Sequence, residues 1–378
     1  MFILFYILFI LTTIAILPIP GLYDNFWIQK ECVYNLLGFS FIASSWMGNN
    51  PKSLTFKNKW LAIILIYCVL SFGWYFYLPL VTSKLGTKVV WNLWVIRPFI
   101  NVVLGLWIIQ TLVEYTDTLH RWVSISKMLC WVAFGISVYS IFQVLKFDPI
   151  LGNVSNNISP VTFFANNNLT GNMIAILSPL CLIFKDLRYK IIYGLCFIAI
   201  LLTSSSLSLV AFVVGLFIYL ISTKKWKLTL CLIVSMVIFV IYKKFSFFSD
   251  SGRFEIWKNT LGYCKDTLWL GKGVGNFAAN QYKPLAGNPM VASPHNELLQ
   301  ILHDGGIFLL VPVMIYVLDL IRRIIISNMN ILLIGFTSMF VSFIIISLGN
   351  FPMRIAPLAL SGIVCIAAIE AILIKGEK

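Results

Sequence analysis

Runs of about twenty apolar residues recur along nearly the whole chain, separated by short polar connections. A run of that length is what an α-helix needs to cross the hydrocarbon core of a bilayer. Water cannot satisfy backbone amides there, so each run must close its hydrogen bonds within itself. Only 11% of the 378 residues are charged, against about 25% in a soluble domain. The fold class that follows is an all-α polytopic membrane protein with about twelve transmembrane helices. Spans are expected near 2–19, 31–47, 60–81, 89–111, 124–145, 166–184, 191–202, 206–221, 226–242, 307–321, 330–348 and 356–374. The stretch 191–221 is too long for one helix and short for two. Its break is placed at Thr203–Ser206, where hydroxyls can satisfy freed backbone groups.

The opening run MFILFYILFILTTIAIL has no basic residue before it and no small-residue cleavage site after it, so it reads as a retained span. The net charge of +14 does not point to nucleic acid, because the basic residues form short clusters between apolar runs. One set of connections holds Lys52, Lys57, Lys59, Arg121, Lys127, Lys185, Arg188, Lys190, Lys224, Lys225, Lys227, Arg322, Arg323, Lys375 and Lys378. The opposite loops hold Lys30, Lys84, Lys88, Lys146 and Arg354. The positive-inside rule places the first set, and both termini, in the cytoplasm. The long connection at 243–306 then lies outside. The chain divides into a membrane bundle (1–242), a large outer loop carrying the chemistry (243–306) and a closing membrane segment (307–378).

The eight cysteines include no CxxC pair, so neither a zinc site nor a disulfide framework is indicated. Within the outer loop, Phe254, Trp257, Leu261 and Leu268 recur at helical spacing, so 252–269 reads as an amphipathic helix against the membrane face. Arg253, in its first turn, is either a snorkelling cation or an anion ligand. GKGVG (271–275) follows no strand and opens no βαβ unit, so it reads as a turn and not as a nucleotide loop. In SPHNELLQILHDGG (293–306), Ser293 is the expected N-cap and Pro294 the first helical residue, with His295 and Asn296 in the first turn. The helix dipole would keep His295 neutral, poised to take a proton from a hydroxyl beside an anion. The plainer alternative is a histidine that only ties down the loop. His303 and His120 read as structural.

Arg97 sits about 12 Å into the fourth span. A buried arginine at that depth usually faces a cavity and has a role. Arg354, between the last two spans, also faces outward. The outer acids include no DxD pattern, so a magnesium-clamped diphosphate is unsupported. Guanidinium forks match phosphate oxygens and can hold such a leaving group instead.

FFANNNLTGNMIAILSPL (163–180), GRFEIW (252–257), GKGVGNF (271–277) and HNELLQILHDGG (295–306), in that order, resemble the O-antigen ligase and O-antigen polymerase superfamily of bacterial envelope glycosyltransferases. The resemblance implies a GT-C-like inner-membrane enzyme. It would move a glycan from an undecaprenyl-diphosphate carrier to a sugar hydroxyl at the periplasmic face, with inversion and without metal or cofactor. The acceptor would be lipid A-core for a ligase, or a carrier-linked repeat unit for a polymerase. Whether a chain-length regulator takes part is open.

On this resemblance His295 activates the acceptor hydroxyl and Arg253 holds the diphosphate. Arg97 and Arg354 are further phosphate ligands, and Asn166, Asn168, Asn296 and Trp257 contact substrate. One departure stands out: relatives carry an arginine between the two short helices, where this chain reads TSSSLS. The rival reading is a transporter of lipid-linked saccharides, which would call for internal repeats and coupling carboxylates within spans.

Overall fold

The computed structural model describes residues 59–82, 90–115, 118–148, 159–164, 166–243, 252–274, 277 and 293–376. Within these, backbone alone is described for 71–82, 90–99, 115, 235–243 and 375–376. The expected spans 2–19 and 31–47 lie outside the described residues, as does most of the 146–165 connection.

Every regular element among the described residues is helical. In chain order they are α1 (Lys59–Thr82), α2 (Val90–Tyr115), α3 (Leu119–Val144), α4 (Asn167–Leu177), α5 (Leu187–Thr203), α6 (Ser206–Ser222), α7 (Trp226–Lys243), α8 (Arg253–Cys264), α9 (Glu297–Ile326), α10 (Ile331–Gly349) and α11 (Ala356–Gly376). Three described segments are long and apolar enough to cross a membrane: Leu119–Val144, Ile331–Gly349 and Ala356–Ile374. The expected break between two short helices is present. Ser204 turns into the left-handed region (φ 56°), and Ser205 caps α6 through its hydroxyl, which accepts from the Ser208 amide.

Helix α11 is the axis of the bundle, with 89% of its apolar window buried, whereas only half of the α3 window is covered. Between helices in lipid, apolar surface alone drives little association, so small residues that allow close approach matter. A Cβ on Gly215 of α6 would collide with the Ser342 hydroxyl of α10, which donates to the Ala211 carbonyl (2.9 Å). Trp122 of α3 meets Phe336 of α10 edge to face, with ring centroids 5.8 Å apart. Near the C-terminal end of α9, Arg323 bonds Glu370 of α11 through both terminal nitrogens (2.7 and 2.8 Å) and Asp319 through Nε (3.0 Å). The three side chains form one network.

One joint interrupts α9. At Gly306, α9 leaves helical geometry (φ 61°, ψ −163°), in a region open essentially to glycine alone. The freed groups are taken by residues 268–273. Ile307 and Phe308 donate to the carbonyls of Leu268 and Trp269 (2.8 and 3.2 Å), while Lys272 and Gly273 donate to those of His303 and Asp304 (2.7 Å each). Phe277 packs against the His303 ring, and the Tyr67 hydroxyl of α1 reaches the Gly305 carbonyl (2.6 Å). Residues 268–273, which include the start of the turn expected at 271–275, are thus the socket in which the α9 break is held.

Candidate active site

The site lies where the C-terminal end of α10 meets the starts of α6, α8 and α9. His295 precedes α9 with φ 51°, a left-handed conformation uncommon outside glycine. The expected cap is corrected here. The N-cap is Asn296, not Ser293, and the first helical residue is Glu297, so His295 stands before the helix. Asn296 wins because both ends of its amide are used. Its Oδ1 accepts from the Leu299 amide (3.1 Å), and its Nδ2 donates to the Leu348 carbonyl of α10 (3.0 Å).

The His295 ring lies edge-on to Phe351, with centroids 4.9 Å apart. Its Nδ1 is buried with no hydrogen-bond partner among the described residues. Burial, then the Arg253 guanidinium, push the imidazole down from 6.5 to about 4, against the opposing pull of the Asn350 side chain. The ring is neutral at pH 7, as expected, but its surroundings and not the helix dipole make it so.

Arg253 is the first residue of α8, after Gly252 in the left-handed region (φ 63°). Its guanidinium reaches the end of α10: a Cβ built on Gly349 would lie 3.7 Å from Nη1, and 3.0 Å from Leu207 at the start of α6. Burial pushes the Arg253 pKa down, and no carboxylate among the described residues pairs with it. A guanidinium keeps its proton all the same, so the site holds a partly desolvated cation that an anion would satisfy. The α6 and α8 N-termini add positive ends of helix dipoles.

Four other expected ligands take different places. Asn166 caps α4, accepting from the Leu169 amide (3.2 Å), and the Asn168 carbonyl accepts from the Ser208 hydroxyl (3.4 Å). Arg354 lies 3.4 Å from Asp304, which in turn meets His303 Nδ1 (2.9 Å). Trp257 lines an open cleft of about 760 Å³ between α8 and α9, together with Phe254, Lys258, Lys265 and Asn296. Two of its lining residues, Phe254 and Asn296, are the chain neighbours of Arg253 and His295. Arg97 lies in the first half of α2, and its side chain is outside the described residues.

Sequence reasoning missed Glu297, Asn350 and Phe351. A carboxylate directly after His-Asn, in a loop with few acids, was the available signal for the first. Nothing local marked the other two, which reach His295 only through the fold. No curated protein matches the chain. Residues 191–314, a stretch that holds both Arg253 and His295, match the family model described as O-antigen ligase.

Proposed function

We propose that the chain is an inner-membrane glycosyltransferase. It transfers a glycan from an undecaprenyl-diphosphate carrier to a sugar hydroxyl at the periplasmic face, the acceptor being lipid A-core or a second carrier-linked repeat unit. The observation that carries the reading is the pairing at the end of α10 of a neutral imidazole with a guanidinium that has no carboxylate partner among the described residues. Within the twelve-span layout, both stand on the outer side.

In this reading the Arg253 fork binds the diphosphate, whose charge grows as the bond to the sugar C1 breaks. The acceptor oxygen forms the new bond to C1 from the opposite face, and its proton passes to the free nitrogen of His295. A single displacement inverts the anomeric centre. An imidazole near 4 is a weak base, but a bound diphosphate offsets the Arg253 charge and raises it. Donor binding therefore strengthens the base that the acceptor needs. The cleft beside Trp257, lined by the chain neighbours of both groups, offers aromatic faces and lysines to the incoming saccharide. Asn166, with its amide engaged in capping, acts on substrate only through the start of α4. Arg97 remains the second phosphate ligand of this proposal.

The test is lipopolysaccharide gel analysis after expression in matched hosts, one lacking its ligase and one its polymerase. Capped lipid A-core in the first host assigns ligase activity, and a restored ladder in the second assigns polymerase activity. His295→Ala and Arg253→Ala, at wild-type membrane levels, should each lose at least about 100-fold in transfer. Full activity in both variants would refute the assignment.

A further inference from the structure

We propose that Glu297 is the positioning residue that holds His295 in place, by fastening the first turn of α9 to the turn at 350–354. The proposal rests on His295 being the base. Glu297 is the first residue of α9, and only 7% of its surface is exposed. Its Oε1 accepts from the Met353 amide (2.8 Å), 56 residues away in the chain. The turn so fastened carries Asn350 and Phe351, the two side chains that meet the His295 ring. The Phe351 amide in turn donates to Asn350 Oδ1 (3.0 Å), so the ring's neighbours form one unit with the fastened backbone. Two residues upstream of Glu297, His295 has an unusual backbone conformation (φ 51°) and no partner on Nδ1 among the described residues. Little in its own segment keeps it there. The bond that Glu297 accepts from Met353 and the bond from Asn296 to Leu348 tie that segment to the end of α10 and the turn after it, beside the contact of the Asn350 side chain with the ring itself.

The charged groups facing Glu297 are Arg354 on the 350–354 turn, which favours its ionised form, and Asp304 further along α9, which opposes it. Burial outweighs both and pushes the carboxyl up from 4.5 to about 7. The ionised carboxylate is the stronger acceptor for the Met353 amide and the better partner for Arg354. The fastening therefore tightens as pH rises through 7, well above the range in which His295 titrates.

The test uses the purified full-length chain in detergent with an undecaprenyl-diphosphate-linked glycan donor and its acceptor. Transfer is followed from pH 5 to 9 for wild type, Glu297→Gln, Glu297→Ala and His295→Ala. Wild-type kcat/KM should fall on the acid side with an apparent pKa near 7. Glu297→Gln keeps an acceptor for Met353 but cannot titrate, so it should retain activity within about threefold at pH 8 and lose the limb near 7. Glu297→Ala frees the turn and should lose about 10- to 100-fold. If Glu297→Ala does not fold, Glu297→Gln alone decides: an acid limb unmoved from 7 overturns the proposal. So does a well-folded Glu297→Ala with wild-type kinetics. Full activity in His295→Ala would instead remove the base, and the functional reading with it.

Discussion

Replacing Gly306 by alanine tests the joint that interrupts α9. At φ 61° and ψ −163° a side chain is strained by about 1–3 kcal/mol. The new Cβ would also collide with the Trp269 carbonyl and lie 2.6 Å from the Gly271 amide nitrogen, both backbone atoms that cannot swing aside. Relief requires the GKGVG segment to retreat. That breaks the Ile307–Leu268 and Phe308–Trp269 bonds, at about 0.5–1.5 kcal/mol each. The expected total is about 2–6 kcal/mol, a large part of a typical folding free energy. Thermal unfolding in detergent, followed by tryptophan fluorescence, should show a midpoint at least about 5 °C below wild type. Gly262→Ala is the control. Gly262 lies inside α8 with open space around it, so alanine should be neutral or stabilise by about 0.5–1 kcal/mol. A Gly306→Ala protein that melts with wild type or with this control would refute the socket.

Two further outcomes follow from buried charge. Between pH 4.5 and 7 the folded chain keeps a proton on Glu297 that the unfolded chain has released, so that group's contribution to stability falls as pH rises. Between pH 4 and 6.5 the unfolded chain binds a proton that folded His295 refuses, so its contribution rises. The two oppose each other from about 4.5 to 6.5. Glu297→Gln should therefore gain stability with rising pH there, and His295→Gln should lose it, in melting curves taken at constant salt. Equal profiles for the two variants would contradict the shifts. Arg323→Ala removes the cation beside Glu370, 4% exposed, and should cost about 3–5 kcal/mol. Arg323→Met with Glu370→Leu should recover most of that in the same assay, and failure to recover would mean the pair does more than cancel charge.

The parts of the fold legible in sequence are those decided locally. The helices at 119–144, 331–349 and 356–374 follow from apolar runs that must bond within themselves. The break at Thr203–Ser206 follows from hydroxyls able to cap, and α8 from its apolar spacing. The candidate residues Arg253 and His295 were also legible, because a cation and an imidazole stand out in a chain with 11% charge. Their neighbours were not.

The helix start shows why. Ser293 and Asn296 are both good caps, and sequence rules favoured the earlier one because Pro294 follows it. What decides for Asn296 is the Leu348 carbonyl, delivered by a helix 52 residues away. Only the fold sets Asp304 of α9 beside Arg354. Only the fold brings the Met353 amide of the 350–354 turn to the Glu297 carboxylate. Sequence alone determined which residues could carry charge, cap a helix or cross a membrane. Only the tertiary structure decided which are spent on one another and which stay open to a substrate, because hydrogen bonds and desolvation depend on atoms that folding brings near.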